Sequence, residues 1–380
     1  MPPVRAPLLR IPYTSPLPAP RIIPASAGTA SGAIAALADF LAARPKQSSS
    51  SQPEHEGAGA RTLLLTGAGI SVASGLADYR GTNGTYTLNK TYRPIYYNEF
   101  CENHEARKRY WARSFLGWTN LLKAKPNAGH RAVGRLGELG VVGSVITQNV
   151  DSFHPKAHPS LPTIELHGYL RTLTCLTCNN SYSRNDFQSD LARLNPAWAA
   201  FLQEMLATGA LDTENPVERR KRGLKSNPDG DVDIPGAPYT TFRYPACPSC
   251  LDKGVQGVGV DHDGAWREGS TGGVLKPSVV MFGESIPHER KIAAEQAVNA
   301  ASRILVVGSS LATYSAWRLV KHAKELGMPI AILNIGGVRG EETFFADVPD
   351  TNTGREAVRC SESADVLLPQ VVKILEQNKR

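Results

Sequence analysis

Two Cys-x-x-Cys pairs, Cys175/Cys178 in "CLTC" and Cys247/Cys250 in "CPSC", carry the most specific chemistry in this 380-residue chain. Four thiolates in two such knuckles match tetrahedral zinc, and four protein ligands leave no open position for water or substrate. The spacing therefore predicts one structural zinc per chain. Positions 179–246 separate the pairs, far more than the roughly 15–20 residues of a compact ribbon, so the intervening segment must loop out and return. Within it, Phe187, Leu191, Leu194, Trp198, Phe201, Leu202 and Met205 recur at mostly helical spacing, broken at Pro196, which predicts a helical elaboration of a zinc module. The competing chemistry, a thioredoxin-like redox pair, needs only one knuckle in a βαβ unit.

Three further stretches could hold a phosphate-bearing ligand or move a proton. "TGAGIS" sets Gly67, Ala68, Gly69, Ile70 and Ser71 after an apolar run, as at the start of a dinucleotide-binding turn, where glycines let backbone N–H groups approach a pyrophosphate. Val72 stands where a third glycine would complete that fingerprint, so a plain strand-to-helix turn remains the alternative. The continuation "SVASGLADYRG" adds Asp78 and Arg80, able to hold phosphate or order a lid. In "TQNVD", Gln148 and Asn149 can bond ribose hydroxyls and Asp151 can accept from a carboxamide; the alternative is an Asn/Asp turn cap. "ELHG" offers His167, whose imidazole suits proton transfer near neutral pH, against the commoner structural histidine.

The elements that would position these residues are short buried strands. "TLLLT", "VVGSVIT", "RILVVGSS" and "PIAILNIGG" are apolar at nearly every position and end in small or polar residues. Such runs imply burial on both faces, hence an α/β fold built on a mostly parallel, doubly wound sheet. Ligands of that fold bind outside the carboxyl ends of the strands, where these candidates lie. A helix is expected over 33–43, followed by a Pro/Ser/Gly linker.

Composition narrows the function classes. Hydrophobic content is 41%, and no run approaches the roughly 18 apolar residues of a membrane span. Six cysteines in such a length do not make a disulfide framework. The net charge of +7 includes an opening stretch with Arg5, Arg10 and Arg21 but no acidic residue before Asp39, the character of an import leader, with a disordered tail as the alternative. The densest basic run, "ERRKR" ending at Arg222, reads as a solvated loop, so nucleic acid is not expected as a partner.

Taken in order, "TGAGIS", "DYRG", "TQNVD", "ELHG", the paired Cys-x-x-Cys, "LKPSVVMFGE", "VVGSSL" and "LNIGG" resemble the motifs of sirtuins, the NAD-dependent protein deacylases, over roughly residues 33–370. "RPIYYNEF", "RYWARSFLGW" and "LNPAW" are similar to the mitochondrial class II branch. The resemblance implies a Rossmann-like domain and a smaller zinc-binding module, about 168–272, enclosing a cleft. NAD is then the co-substrate, and an acyl-lysine protein or peptide the partner; the acyl group passes to ADP-ribose as nicotinamide leaves. On this chain the implied general base is His167, with Asn149 beside it. The implied cofactor residues are Gly67, Ala68, Gly69, Ile70, Ser71, Asp78, Tyr79, Arg80, Gln148, Asn149, Val150, Asp151, Gly308, Ser309, Ser310, Asn334, Ile335, Gly336 and Cys360. Protein ADP-ribosyl transfer, or NAD and zinc binding without turnover, are the alternatives on the same fold. A monomer in the mitochondrial matrix is expected, with residues 1–32 as leader or tail and 371–380 as a C-terminal tail.

Departures from the family pattern are local. "SFHPKAH" brings Phe153, Pro155 and His158 to positions usually held by other residues; Ala77 stands for a common Pro and Ser278 for a common Asp. Three positions on from Tyr86 stands Asn89 rather than an arginine, so a short acidic acyl group is not favoured.

Overall fold

The four strands that end in candidate residues form the middle of one parallel sheet in the computed structural model of the chain, which describes residues 16–43, 61–88, 92–209, 225–226, 231–234, 236–349 and 353–379. In chain order the strands are β1 (Thr62–Thr66), β2 (Val142–Thr147), β3 (Thr163–Glu165), β4 (Gly168–Cys175), β5 (Ser181–Ser183), β6 (Lys225–Ser226), β7 (Val232–Asp233), β8 (Leu275–Val279), β9 (Arg303–Val307), β10 (Ile330–Leu333) and β11 (Ala357–Cys360). The large sheet runs β11-β10-β9-β1-β2-β3, and all five pairings are parallel. The chain steps outward from β1 through β2 to β3, then re-enters on the other side of β1 with β9. That reversal is the switch point at which open α/β sheets bind ligands.

Alternate residues of each strand serve opposite faces, which is why the runs are apolar throughout. Leu64, Val145, Leu305, Ala331 and Val358 pack into one core with the helices Ala30–Ala42, Ala128–Glu138 and Ala364–Gln377. Leu63, Ile146, Ile304, Val306 and Ile332 pack into the other with the helices His288–Asn299 and Tyr314–Glu325.

Two domain boundaries move. Ile23 and Ala27 are buried, and Ile23 pairs antiparallel with Arg359 of β11, so the packed chain starts before the boundary drawn at 32. Residues 371–377 are not a tail: the apolar spacing of Leu367, Leu368, Val371, Val372 and Leu375 continues one buried helix face to Leu375, in a helix that ends at Gln377. The first half of the expected leader, the linker at 44–60, Asn89 and the basic run ending at Arg222 lie outside the described residues.

The smaller module is built on the antiparallel sheet β5-β4-β8. Its apolar core joins Leu173, Phe187, Leu191, Trp198 and Phe242 to Phe100, Tyr110, Trp111 and Phe115, so it recruits chain well outside 168–272. The helices Arg184–Leu194 and Pro196–Ala207 meet at Asn195, with Pro196 in the first turn of the second, where its missing N–H costs nothing. Arg184 is buried with its guanidinium 4.6 Å from the Trp118 ring and bonded to Gln188 and Ser114. Burial pushes its pKa down to about 9, so it stays charged at neutral pH.

Candidate active site and metal centre

At the switch point of the sheet two turns meet in direct backbone contact. Gly67 N–H donates to the Val307 carbonyl at 3.1 Å and Gly69 N–H to the Gly308 carbonyl at 2.8 Å. A Cβ at Gly69 would sit 2.8 Å from Gly308 Cα, and one at Gly308, whose φ is +61°, would sit 2.4 Å from Ile70 N. The glycines are thus required for the approach of the turn after β1 to the turn after β9. Residues Ala68–Ser74 continue as a short 3₁₀ helix.

Ser71 links this turn to the end of β2. Its hydroxyl donates to Asp151 Oδ2 at 2.7 Å and accepts from Asn149 Nδ2 at 3.1 Å, while Asn149 Nδ2 also reaches the Gly67 carbonyl at 3.1 Å. Asp151 Oδ1 accepts from Phe153 N–H at 2.9 Å. Burial raises the Asp151 carboxyl pKa, opposed by the Phe153 and Ser71 donors. The turn-cap reading of "TQNVD" is realised in these bonds, which also hold the Asn149 and Asp151 side chains at the end of β2. The next residue, Ser152, has φ of 60°, a left-handed conformation rarely adopted outside glycine, and the Val150 carbonyl accepts from Leu170 N–H at 3.1 Å, tying the turn to β4.

His167 stands between β3 and β4, where the chain passes from the large sheet to the small one. Gly168, at φ +77°, has no room for a side chain against the Ser278 carbonyl, and the His167 carbonyl accepts from Val280 N–H at 2.7 Å. The half-buried ring has Nδ1 3.1 Å from the Gln148 carbonyl and Nε2 2.8 Å from Ser315 Oγ. A carbonyl only accepts, so Nδ1 carries the proton and Nε2 the lone pair. Burial pushes the His167 pKa down to about 4, against the Gln148 carbonyl, with Arg290 adding to the depression. The ring is a neutral base at pH 7.

Gln148 is held at both ends of its amide: Nε2 donates to Ser309 Oγ at 2.7 Å and Oε1 accepts from Thr313 Oγ1 at 2.8 Å. Ser310 offers its carbonyl to Arg339 N–H at 2.9 Å. Farther along the sheet edge, Ile335 is 63% exposed, while the Asn334 and Gly336 carbonyls are held at 2.7 Å each by the guanidinium of buried Arg359. That guanidinium also pairs with Glu341 at 2.7 Å, whose carboxylate accepts as well from the N–H groups of Arg21 at 3.0 Å and Val338 at 3.1 Å. Cys360 sits behind this loop, its thiol in the core and its carbonyl taken by Asn334 N–H and Arg359. On the opposite flank, Asp78 Oδ1 accepts from Gly81 N–H at 3.0 Å, the Tyr79 ring lies 5.7 Å from Tyr86 and 6.4 Å from Phe282, and Arg80 lies 5.0 Å over Tyr86.

Sequence reasoning missed Thr313, Ser315, Arg359 and Glu341. No local spacing marks them, because each acts on a partner from a distant segment.

The four cysteines converge as the spacing requires. All four Sγ atoms lie within 4.8 Å of one another, with Cys175–Cys250 and Cys178–Cys247 at 3.6 Å. A tetrahedral ion with Zn–S bonds of about 2.3 Å separates its sulfurs by roughly 3.8 Å, whereas a disulfide needs about 2.05 Å. The donor set therefore fits zinc with no open ligand position. β4 begins next to His167 and ends at Cys175, so roughly 25 Å of extended chain separates the metal from the histidine.

The Sir2 family model matches residues 67–315, which span the crevice, the histidine and all four cysteines. This chain belongs to the Sir2 family. Among sirtuin relatives, it is 39% identical over 320 residues to the NAD-dependent protein deacylase SIR4 of Batrachochytrium dendrobatidis, covering 83% of this chain and 89% of that one. It is 37% identical over 283 residues to the NAD-dependent protein deacylase SRT2 of Arabidopsis thaliana, covering 74% and 68%. A solved structure from work on the mechanism and regulation of Sir2 enzymes matches with a TM-score of 0.56 at 25% identity, covering 91% of this chain and 98% of that one.

Proposed function

We infer that this chain is an NAD-dependent protein-lysine deacylase that passes the acyl group of a lysine side chain to ADP-ribose and releases nicotinamide. The observation that carries the chemistry is the neutral His167, its Nε2 lone pair directed away from a carbonyl-anchored Nδ1, beside Asn149, Asp151 and Ser71 at the switch point of the sheet. Bound NAD supplies the ribose carbon that accepts the acyl oxygen as nicotinamide departs. His167 then takes a proton from a ribose hydroxyl at Nε2, which a ring already neutral at pH 7 can do without first losing one.

The other roles follow from position. Asn149 and Asp151, locked by Ser71, orient the nicotinamide end, with Gln148 and Val150 on the same turn. Gly67, Ala68, Gly69, Ile70 and Ser71 approach the diphosphate, and Asp78, Tyr79 and Arg80 close over it. Gly308, Ser309, Ser310, Asn334, Ile335, Gly336 and the backbone of Cys360 serve the adenosine half. Cys175, Cys178, Cys247 and Cys250 hold zinc as a structural ion. An acylated peptide fits as an added strand between the two modules beside "LKPSVVMFGE", where main-chain pairing supplies affinity.

The domain reading that goes with this function is a catalytic unit of two modules preceded by a leader. The arginine-bearing, acid-free opening segment supports import into the mitochondrial matrix, decided by uptake of the full chain into isolated mitochondria. We assign a monomer, checked by light scattering.

The function is tested with purified full chain, NAD and a panel of acyl-lysine peptides, with nicotinamide and O-acyl-ADP-ribose measured by mass spectrometry. His167→Ala is expected to lower turnover by roughly 10²–10⁴-fold. Release of no nicotinamide with any peptide, or His167→Ala matching wild type, overturns the assignment; label from NAD fixed to protein would point to ADP-ribosyl transfer instead.

A further inference from the structure

The helix Tyr314–Glu325 begins against the end of β2 in an unusual way. Thr313 occupies its N-cap position without a side-chain cap; its hydroxyl instead donates to Gln148 Oε1 at 2.8 Å. Two residues on, Ser315 Oγ lies 2.8 Å from His167 Nε2. The same glutamine offers its main-chain carbonyl to His167 Nδ1 at 3.1 Å. One helix start therefore fixes both the residue that anchors the ring and the ring itself.

We propose that Ser315 is a positioning residue for His167: its hydroxyl holds the Nδ1-protonated ring with the Nε2 lone pair aimed into the crevice, and yields that lone pair to a ribose hydroxyl when NAD binds.

The argument rests on the deacylase reading only for the identity of the arriving hydroxyl. With Nδ1–H committed to a carbonyl, Nε2 of a neutral ring can only accept, so Ser315 must donate. A ribose hydroxyl makes the same bond with the same polarity, so the exchange leaves no buried acceptor unpaired. Ser315 needs only to turn about χ1 among its staggered wells to let go. The charged group that acts on the ring is Arg290, from the helix His288–Asn299; its other polar partners among the described residues are the Gln148 carbonyl and Ser315 itself. Arg290 disfavours the imidazolium whether or not Ser315 is present, so a change at Ser315 is read against a constant background.

The test uses the full zinc-loaded chain without cofactor. Long-range proton–nitrogen NMR follows the His167 ring from pH 4 to 8 in wild type, Ser315→Ala and Ser315→Thr, and the pH profile of kcat/KM is recorded for each. Wild type is expected to show the Nδ1–H tautomer alone. Losing a donor to Nε2 removes a bond that favours the neutral ring, so Ser315→Ala is expected to titrate roughly half a unit to one unit higher and to mix tautomers. The acid limb of kcat/KM should move by the same amount, and Ser315→Thr should restore both. A wild-type and an alanine ring that titrate together in the same tautomer overturn the proposal, even if stability falls. A ring that shifts as expected in protein that turns over no acyl peptide upholds the positioning role and counts against the deacylase reading instead.

Discussion

Gly308 shows how a single residue without chemistry of its own decides the site. At φ +61°, with a would-be Cβ 2.4 Å from Ile70 N, it is the point where the turns after β1 and β9 touch. The left-handed conformation alone costs an L-residue about 1–2 kcal/mol, and the backbone clash adds a displacement of the Gly67–Ser71 turn. Gly308→Ala is therefore expected to lower the melting temperature by several degrees and to weaken NAD binding tenfold or more by calorimetry, with zinc content unchanged. Unaltered NAD affinity would mean that the turns need not touch. The glycine was visible in the sequence within "VVGSS", but the reason for it was not, because its contact lies across the switch point rather than along the chain.

Among the elements, the short helix Phe153–Ala157 and the strand ends beside it carry a second polar system, linked to the candidate cofactor residues by the Asn149 N–H bond to Thr147 Oγ1. Thr66 Oγ1 donates to Thr147 Oγ1 at 2.9 Å and so must accept from His154 Nε2, also at 2.9 Å; His154 Nδ1 then accepts from His158 Nε2 at 2.9 Å. His130 packs edge-on to His154, ring centres 5.0 Å apart. Burial pushes the His130 pKa down to about 3, the His154 pKa well below its ordinary value and the His158 pKa down. In the unfolded chain these rings bind protons near pH 6.5, so below that pH the unfolded state takes up protons that the native state refuses. Stability is then fully present above about pH 7 and falls as pH drops, by up to about 1.4 kcal/mol per pH unit for each ring. Urea midpoints should be level between pH 7.5 and 8.5 and decline steadily from 6.5 to 5. His154→Gln should start lower and decline less; equal slopes would show that the cluster is not the cause. The sequence marked His158 only as a departure, since the chain of bonds it ends, from His154 to Thr66 to Thr147, forms only where β1 and β2 pair.

For the whole molecule, β4 joins the four-cysteine cluster to the turn that carries His167. Cys175, Cys247 and Cys250 lie in the same apolar cluster as Trp111, Phe187 and Phe242, so a bound ion would fasten segments that already pack together in this core. Structural zinc binding contributes directly to folding. Cys247→Ser is expected to lose zinc and thermal stability together, measured by metal analysis and melting, and to lose turnover with them. Soluble, fully active, zinc-free protein would show that the small module folds without its ion.

Local chemistry and pattern determined much of this protein from the sequence by itself. Apolar runs announced four strands of the parallel sheet, Cys-x-x-Cys spacing announced the metal, and Pro196 announced the break between two helices, because each is a property of neighbouring residues. The tertiary structure alone decided the rest. It brought Ser315 to His167 and Arg359 to the Asn334–Gly336 loop, extended the packed chain back to Ile23 and forward to Gln377, and drew Phe100 to Phe115 into the zinc module. Those outcomes depend on which strands become neighbours and which faces they cover, and that is settled by burial of the whole core rather than by any one segment's preference.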